Sequence, residues 1–180
     1  YLLFRALRKL ADPGKTHVIV PSYTCYSVPA AAIRAGLRVR VIDIDPVTLS
    51  YNLEQLARTD FSNVLAIVSA NLYGMPNDLP AISALARQHG VYFVDDAAQS
   101  LGAAINGLPA GGFGDAGLYS LDKGKNITSI QGGILVTRSE AIAAEIRNEL
   151  ERSPAPPWQR TLSQAIQLVV YGLLLRPWLY

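Results

Sequence analysis

Between residues 17 and 137 short apolar runs alternate with helical patterns, and this alternation constrains the fold more than any other feature of the chain. HVIV (17–20), RVRVIDID (38–45), VLAIVSA (64–70), VYFVD (91–95) and the runs 116–121 and 133–137 have strand length and β-branched or aromatic character. Helical patterns lie between them, over 27–35, from a cap at Asn52 through Leu56, and over 78–89. Gly36 and Gly90 close two of these helices. A further helix is expected over 1–10, and another from a cap at Ser139 to about Leu150. Strand and helix at this pace predict an α/β fold of three layers, a mostly parallel sheet flanked by helices. Ligands of such sheets sit outside the carboxyl ends of the strands, so residues just after each strand are the first candidates for chemistry. The glycine-rich stretch 102–114 reads as loop, and SPAPP (153–157) as a linker. A domain at 1–152 and a short further segment at 153–180 are expected.

Composition excludes several classes. Half of the 180 residues are apolar and 17% are charged, enough to bury a core and unlike a disordered tail. A net charge of +2, without a basic run, gives nucleic acid no footprint. The single cysteine, Cys25, excludes an internal disulfide and a multi-cysteine zinc site, and two histidines leave little for a metal centre. The chain opens at Tyr1, has its one methionine at Met75, and closes within LVVYGLLLRPWLY, so it reads as a fragment cut at both ends. No signal peptide is visible, and with a free cysteine a cytoplasmic location is expected. No run reaches the ~18 apolar residues that cross a bilayer. The run 165–175 contains Gln167 and reads as a core or interface helix, in preference to an interfacial segment anchored by Trp178 and Tyr180.

Two clusters carry chemistry. Asp95 and Asp96 end the strand VYFV, and DDAAQS places Gln99 one turn further on. Two adjacent carboxyls are costly to bury together, so one is expected to serve a turn or cap and the other to face the crevice. The second cluster is GDAGLYSLDKGKNITSIQGG (114–133), which holds Ser120 at a strand end and then Lys123 and Lys125, two of only four lysines in the chain. A desolvated lysine beside other positive charge becomes an amine nucleophile able to form a Schiff base. Together the clusters suggest pyridoxal phosphate, which needs a lysine for its aldehyde, a carboxylate at its ring nitrogen and donors for its phosphate.

Residues 18–137 resemble the DegT-type nucleotide-sugar aminotransferases, a branch of the fold-type I pyridoxal phosphate enzymes. The matching stretches are VIVPSYT, VIDIDPVTLSYN, NLYGMPNDLPAISALARQHGVYFVDDAAQSLGA and GGFGDAGLYSLDKGKNITSIQGGILVT, in family order and at compatible spacing. The resemblance implies that Asp96 faces the pyridine nitrogen, Gln99 reaches the ring hydroxyl, Ser120 binds the phosphate and Lys125 forms the Schiff base and moves the proton. It places a Gly-Thr phosphate loop just before Tyr1 and further substrate-binding sequence after Tyr180. The family's aromatic ring over the cofactor falls at Cys25, with Tyr26 next as the candidate, and its usual acid before the Gly-Gly pair is Gln131. A dehydratase branch has histidine in place of the lysine, so Lys125 fits transamination. The implied reaction moves an amino group from an amino acid, glutamate foremost, to a keto-sugar nucleotide, in a homodimer. Cys25 and Gln131 keep a catalytically inactive cofactor-binding relative in view. A dinucleotide-binding module fits less well, because HVIV runs into PSYTCYS and not into a glycine-rich turn.

Overall fold

A computed structural model describes residues 1–174 and 176. In chain order the elements are α1 (Leu2–Leu10), β1 (His17–Pro21), α2 (Ser27–Arg34), β2 (Arg38–Ile42), α3 (Leu53–Ala57), β3 (Val64–Val68), α4 (Leu79–Gln88) and β4 (Tyr92–Asp96). A two-residue hairpin pair follows, β5 (Ala104–Ile105) and β6 (Leu108–Pro109), then β7 (Ala116–Ser120), β8 (Gly133–Thr137), α5 (Glu140–Glu151) and α6 (Trp158–Leu174). The expected strands and helices therefore form, with ends displaced by a few residues. The stretch expected to be loop contains the β5–β6 hairpin, turned by Asn106 and Gly107, both at positive φ.

The sheet order is β2-β1-β3-β4-β7-β8. All neighbours run parallel except β8, which returns antiparallel to β7. The 121–132 connection contains no helix, and a parallel neighbour requires a crossover. From β1 the chain moves outward to β2 and then returns to the far side of β1 with β3. That reversal opens a crevice at the carboxyl ends of β1 and β3.

Strand alternation sends side chains to two cores, one on each face. Val18, Val20, Ala66, Val68 and Val94 pack with α1, α2 and α5 through Leu3, Leu7, Ala32 and Ile142. Ile19, Ile67 and Phe93 pack with α3 and α4 through Leu56, Leu79 and Ile82. Local caps hold the helices in place. Asn52, Asp78 and Ser139 each accept a hydrogen bond from the backbone N–H three residues on. α1 is tied to α5 by Glu149, whose buried carboxylate takes Arg5 at 2.9 Å and Lys9.

β7 brings a second segment close to the crevice. A Cβ on Gly117 would run into the carbonyl of Gly111, so glycine lets residues 110–113 lie directly against the strand. α6 forms over the run expected to be helical, yet none of its residues is buried. It touches the loop before β8, where Gln131 Oε1 accepts from Arg160 Nη2 at 2.7 Å and Gln164 Nε2 at 3.2 Å. Trp178 and Tyr180 lie outside the described residues. Among those described, no helix is long and apolar enough to cross a membrane.

Candidate active site

Each parallel strand delivers polar residues to the carboxyl edge of the sheet. Thr24 and Cys25 follow β1, Asn71 follows β3, Asp96 ends β4 with Gln99 beyond it, and Ser120 ends β7. Asp122 and Lys125 come from the loop after β7. These eight residues line one cavity of about 210 Å³. It adjoins a second cavity of about 490 Å³, which shares Asp96 and Ser120 and is walled by Tyr1 and residues 2–4 of α1, and by Gly132 and residues 133–135 of β8.

One of the two adjacent aspartates faces the crevice, as expected, but the other serves neither a local turn nor a helix cap. Alternation turns Asp95 away from the crevice, where it is fully buried. Its Oδ1 accepts from Asn71 Nδ2 at 2.7 Å and Ser69 Oγ at 3.3 Å, and its Oδ2 accepts from the N–H groups of Gly111 at 2.6 Å and Phe113 at 3.2 Å. Those two N–H groups belong to the segment that Gly117 admits. Asp96 faces the cavity. Its Oδ1 accepts from Ala98 N–H at 2.9 Å, and its other oxygen takes no hydrogen bond from the described residues.

Burial pushes the Asp96 carboxyl above its ordinary range. The Ala98 N–H and the Lys125 ammonium pull it back down, and the neighbouring Asp95 adds to the rise. A carboxyl whose folded value exceeds its unfolded one favours folding while protonated. Its contribution is full below the ordinary carboxyl range and is lost as pH climbs through the raised folded value. Cofactor-free protein is therefore expected to lose stability relative to its Asp96→Asn variant as pH rises from the carboxyl range to neutrality. Urea unfolding across that range measures it, and parallel profiles for the two proteins would contradict it.

The other candidates are held with one polar group free. Gln99 Oε1 accepts from Tyr73 N–H at 3.2 Å, which fixes the amide's orientation and leaves Nε2 as its free donor. Ser120 Oγ accepts from Asp122 N–H at 3.3 Å, which leaves the hydroxyl proton free to donate. Lys125 is half-buried in the cavity wall. Lys123 does not line the cavity; it is exposed, with Nζ 6.0 Å from the Tyr171 ring centre on α6. Tyr26 also stands apart. It is 84% exposed at the residue preceding α2, and Thr24 and Cys25 line the cavity in its stead.

Sequence reasoning missed the polar network beneath the site. Asn71 Nδ2 bridges Asp95 to the Asp96 carbonyl at 3.0 Å, and Asn71 Oδ1 accepts from Asn77 N–H at 3.0 Å. Asn77 in turn donates to the Ala70 carbonyl at 2.7 Å and accepts from Tyr51 N–H at 3.1 Å. Asn71 follows β3, so the rule that singled out strand ends would have found it.

A carboxyl with a free oxygen, an amide donor, a hydroxyl donor and an amine thus converge on one cavity. This donor set fits pyridoxal phosphate, whose ring nitrogen, ring hydroxyl, phosphate and aldehyde need those four groups.

Known proteins share this sequence pattern and this fold. The UDP-N-acetyl-3-dehydro-alpha-D-glucosamine 3-aminotransferase of Acidithiobacillus ferrooxidans is 34% identical over 146 residues, 81% of this chain and 40% of that protein. The GDP-perosamine synthase of Vibrio cholerae is 30% identical over 140 residues, 78% of this chain and 38% of its own length. The chain thus spans about two fifths of the length of these relatives. The crystal structure of the aminotransferase TlmJ from Streptoalloteichus hindustanus superposes with a TM-score of 0.74 at 30% identity, over 81% of this chain and 40% of that one. Residues 3–166 match the DegT/DnrJ/EryC1/StrS aminotransferase family, and the chain belongs to it.

Proposed function

We propose that the protein is a pyridoxal phosphate-dependent aminotransferase that moves an amino group from an amino acid, glutamate foremost, to a keto-sugar nucleotide. The observation that carries this reading is that Asp96, Gln99, Ser120 and Lys125, spread over 30 residues of sequence, line one cavity at the carboxyl ends of the strands. Similarity to sugar-nucleotide aminotransferases supports the substrate class.

When bound, the cofactor supplies a carbonyl that takes up an amino group and a ring that accepts electrons. The residues of the chain bind it and move protons. The free oxygen of Asp96 meets the ring nitrogen and holds a proton there. Gln99 Nε2 donates to the ring hydroxyl, while the Tyr73 N–H keeps the amide from turning over. Ser120 Oγ donates to the phosphate. Lys125 Nζ would be the amine that holds the cofactor through its aldehyde, and the same amine, when free, would be the base that takes the substrate's α proton. A lysine fits this double role, since its amine is both nucleophile and base. Residues 1–152 act as the cofactor-binding domain, with 153–180 as linker and the start of a further segment, in a cytoplasmic homodimer.

The test is covalent. Intact protein loaded with pyridoxal phosphate and reduced with borohydride is expected to carry a pyridoxyl label on Lys125 alone, located by peptide mapping. No label, or one spread over Lys9, Lys15 and Lys123, would remove the reading. A Lys125 label in a protein that exchanges amino groups with no donor would leave a cofactor-binding relative without catalysis.

A further inference from the structure

Asp96 lies where the regular ladder between β3 and β4 stops. Paired positions end at Val68 and Val94, and beyond them the Ser69 N–H still reaches the Val94 carbonyl at 3.0 Å. On its other side Asp96 stays within the sheet, paired with Leu118 of β7. Asn71 completes the β3 side. Its backbone N–H donates to the Asp96 carbonyl at 3.1 Å, and its Nδ2 donates to the same carbonyl at 3.0 Å. The second Nδ2 hydrogen goes to Asp95 Oδ1 at 2.7 Å. One amide thereby fixes the main chain of the acid that faces the cavity and the side chain of the acid that faces away.

Two observations set this residue apart from ordinary filling of a buried corner. First, its amide has a single orientation. Asn71 Oδ1 accepts from Asn77 N–H at 3.0 Å, so turning the amide over would set its oxygen against a carboxylate and a carbonyl and its nitrogen against an N–H. The brace continues outward through the Asn77 side chain to the Ala70 carbonyl and the Tyr51 N–H, and the Tyr51 hydroxyl donates to the Val68 carbonyl at 2.6 Å. Tyr51, Asn71 and Asn77 are each 3% exposed or less, which shields these bonds from water. Second, Asn71 lines the cavity beside Asp96, yet both its amide hydrogens are already taken by the protein. What it does for a bound molecule it does through its neighbours.

The consequence for Asp96 is geometric. The peptide that follows it is held at its carbonyl by Asn71 and at its N–H, that of Ala97, by the Leu118 carbonyl at 2.9 Å. Its Oδ1 is held by the Ala98 N–H. With the main chain and one carboxylate oxygen fixed, the free oxygen has one direction into the cavity, and functional groups act only when held to within about 0.5 Å. We infer that Asn71 is a positioning residue, which aims the free oxygen of Asp96 at the cofactor's ring nitrogen by clamping the Asp96 peptide and the Asp95 carboxylate with one amide. This rests on the reading above, in which that oxygen meets the ring nitrogen.

Binding of two ligands to the intact cofactor-free protein tests it: pyridoxal phosphate, and its analogue with C–H in place of the ring nitrogen. Urea midpoints are measured alongside. The parent is expected to favour pyridoxal phosphate, the one ligand with a ring nitrogen for Asp96. Asn71→Ala should weaken binding of pyridoxal phosphate about tenfold, the scale of one hydrogen bond, and leave the analogue within about twofold. Asn71→Ser keeps one donor and should show a smaller loss, about threefold, again for pyridoxal phosphate alone. Asn77→Ala is the structural control. It removes the bonds to Ala70 and Tyr51 but keeps the backbone N–H that orients Asn71, so it should lower the urea midpoint and leave the preference within about twofold of the parent. Equal losses for both ligands in the Asn71 variants, in step with their urea midpoints, would make the residue structural and overturn the inference. So would parent-like binding of both ligands, or failure of both variants to fold. In each of these cases a parent that favours pyridoxal phosphate leaves the role of Asp96 standing. A parent that binds the two ligands equally would remove that role, and the inference with it.

Discussion

Lys125→Ala is expected to cut amino transfer by at least about a thousandfold, the scale on which positioned proton-transfer groups act. The loss should come without unfolding. The Lys125 side chain has no hydrogen bond to the described residues, its backbone N–H bonds to the Asp122 carbonyl whatever the side chain, and it stands half-buried at a cavity wall. Stability should change by no more than about 0.5 kcal/mol, as for other substitutions outside the packed core. Lys125→Arg should be equally inactive, since a guanidinium keeps the charge but offers no amine that can be deprotonated. Lys123→Ala is the matched control. Lys123 is exposed outside the cavity, and its loss should leave turnover within a few-fold of the parent. Steady-state turnover with glutamate and a keto-sugar nucleotide reads all three, and undiminished turnover in Lys125→Ala would end the proposal.

Asp95→Ala is expected to have the largest effect on stability, a loss of about 3–5 kcal/mol. Asp95 lies on the same strand as Asp96, one residue away, but it does a different task. Its carboxyl gathers Ser69, Asn71 and the N–H groups of Gly111 and Phe113, all at or near the buried floor of the site. Alanine would leave the Ser69 hydroxyl, one N–H of Asn71 and the two backbone N–H groups without that acceptor. Asp95→Asn keeps one acceptor oxygen and should lose about half as much. Denaturant midpoints measure both, and a loss below about 1 kcal/mol in Asp95→Ala would mean that the network relaxes onto other partners. Asp96→Asn should behave in the opposite way, keeping the fold and losing cofactor affinity, because the second oxygen of Asp96 serves no protein donor among the described residues.

This division shows where local reading works and where it stops. The alternation of two- and 3.6-residue periods names the layers, because each period leaves one face to bury and a parallel sheet covered by helices buries them all. Caps such as Asn52 and Ser139 are legible for the same reason, since the hydrogen bond that satisfies the helix end spans three residues. That one of two adjacent aspartates would face the crevice follows from strand alternation alone. Which tyrosine or cysteine meets the cavity does not. Thr24 and Cys25 enter it while Tyr26 turns to solvent, a choice made by where α2 begins and how it packs against the sheet.

Residue order and type therefore determine the α/β layering and the strand-end positions of Asp96 and Ser120, because each depends on periodicity, whereas Gln99 and the choice of Lys125 over Lys123 are what the family resemblance implies. Tertiary structure alone decides the rest. The Asn71–Asn77–Tyr51 network, the approach of Gly111 to Asp95 across Gly117, and the hydrogen bond between the Tyr23 and Tyr73 hydroxyls join residues 6 to 50 positions apart. No local preference encodes such contacts. They arise when β3 crosses back beside β1 and the loops at that reversal are brought to one edge of the sheet.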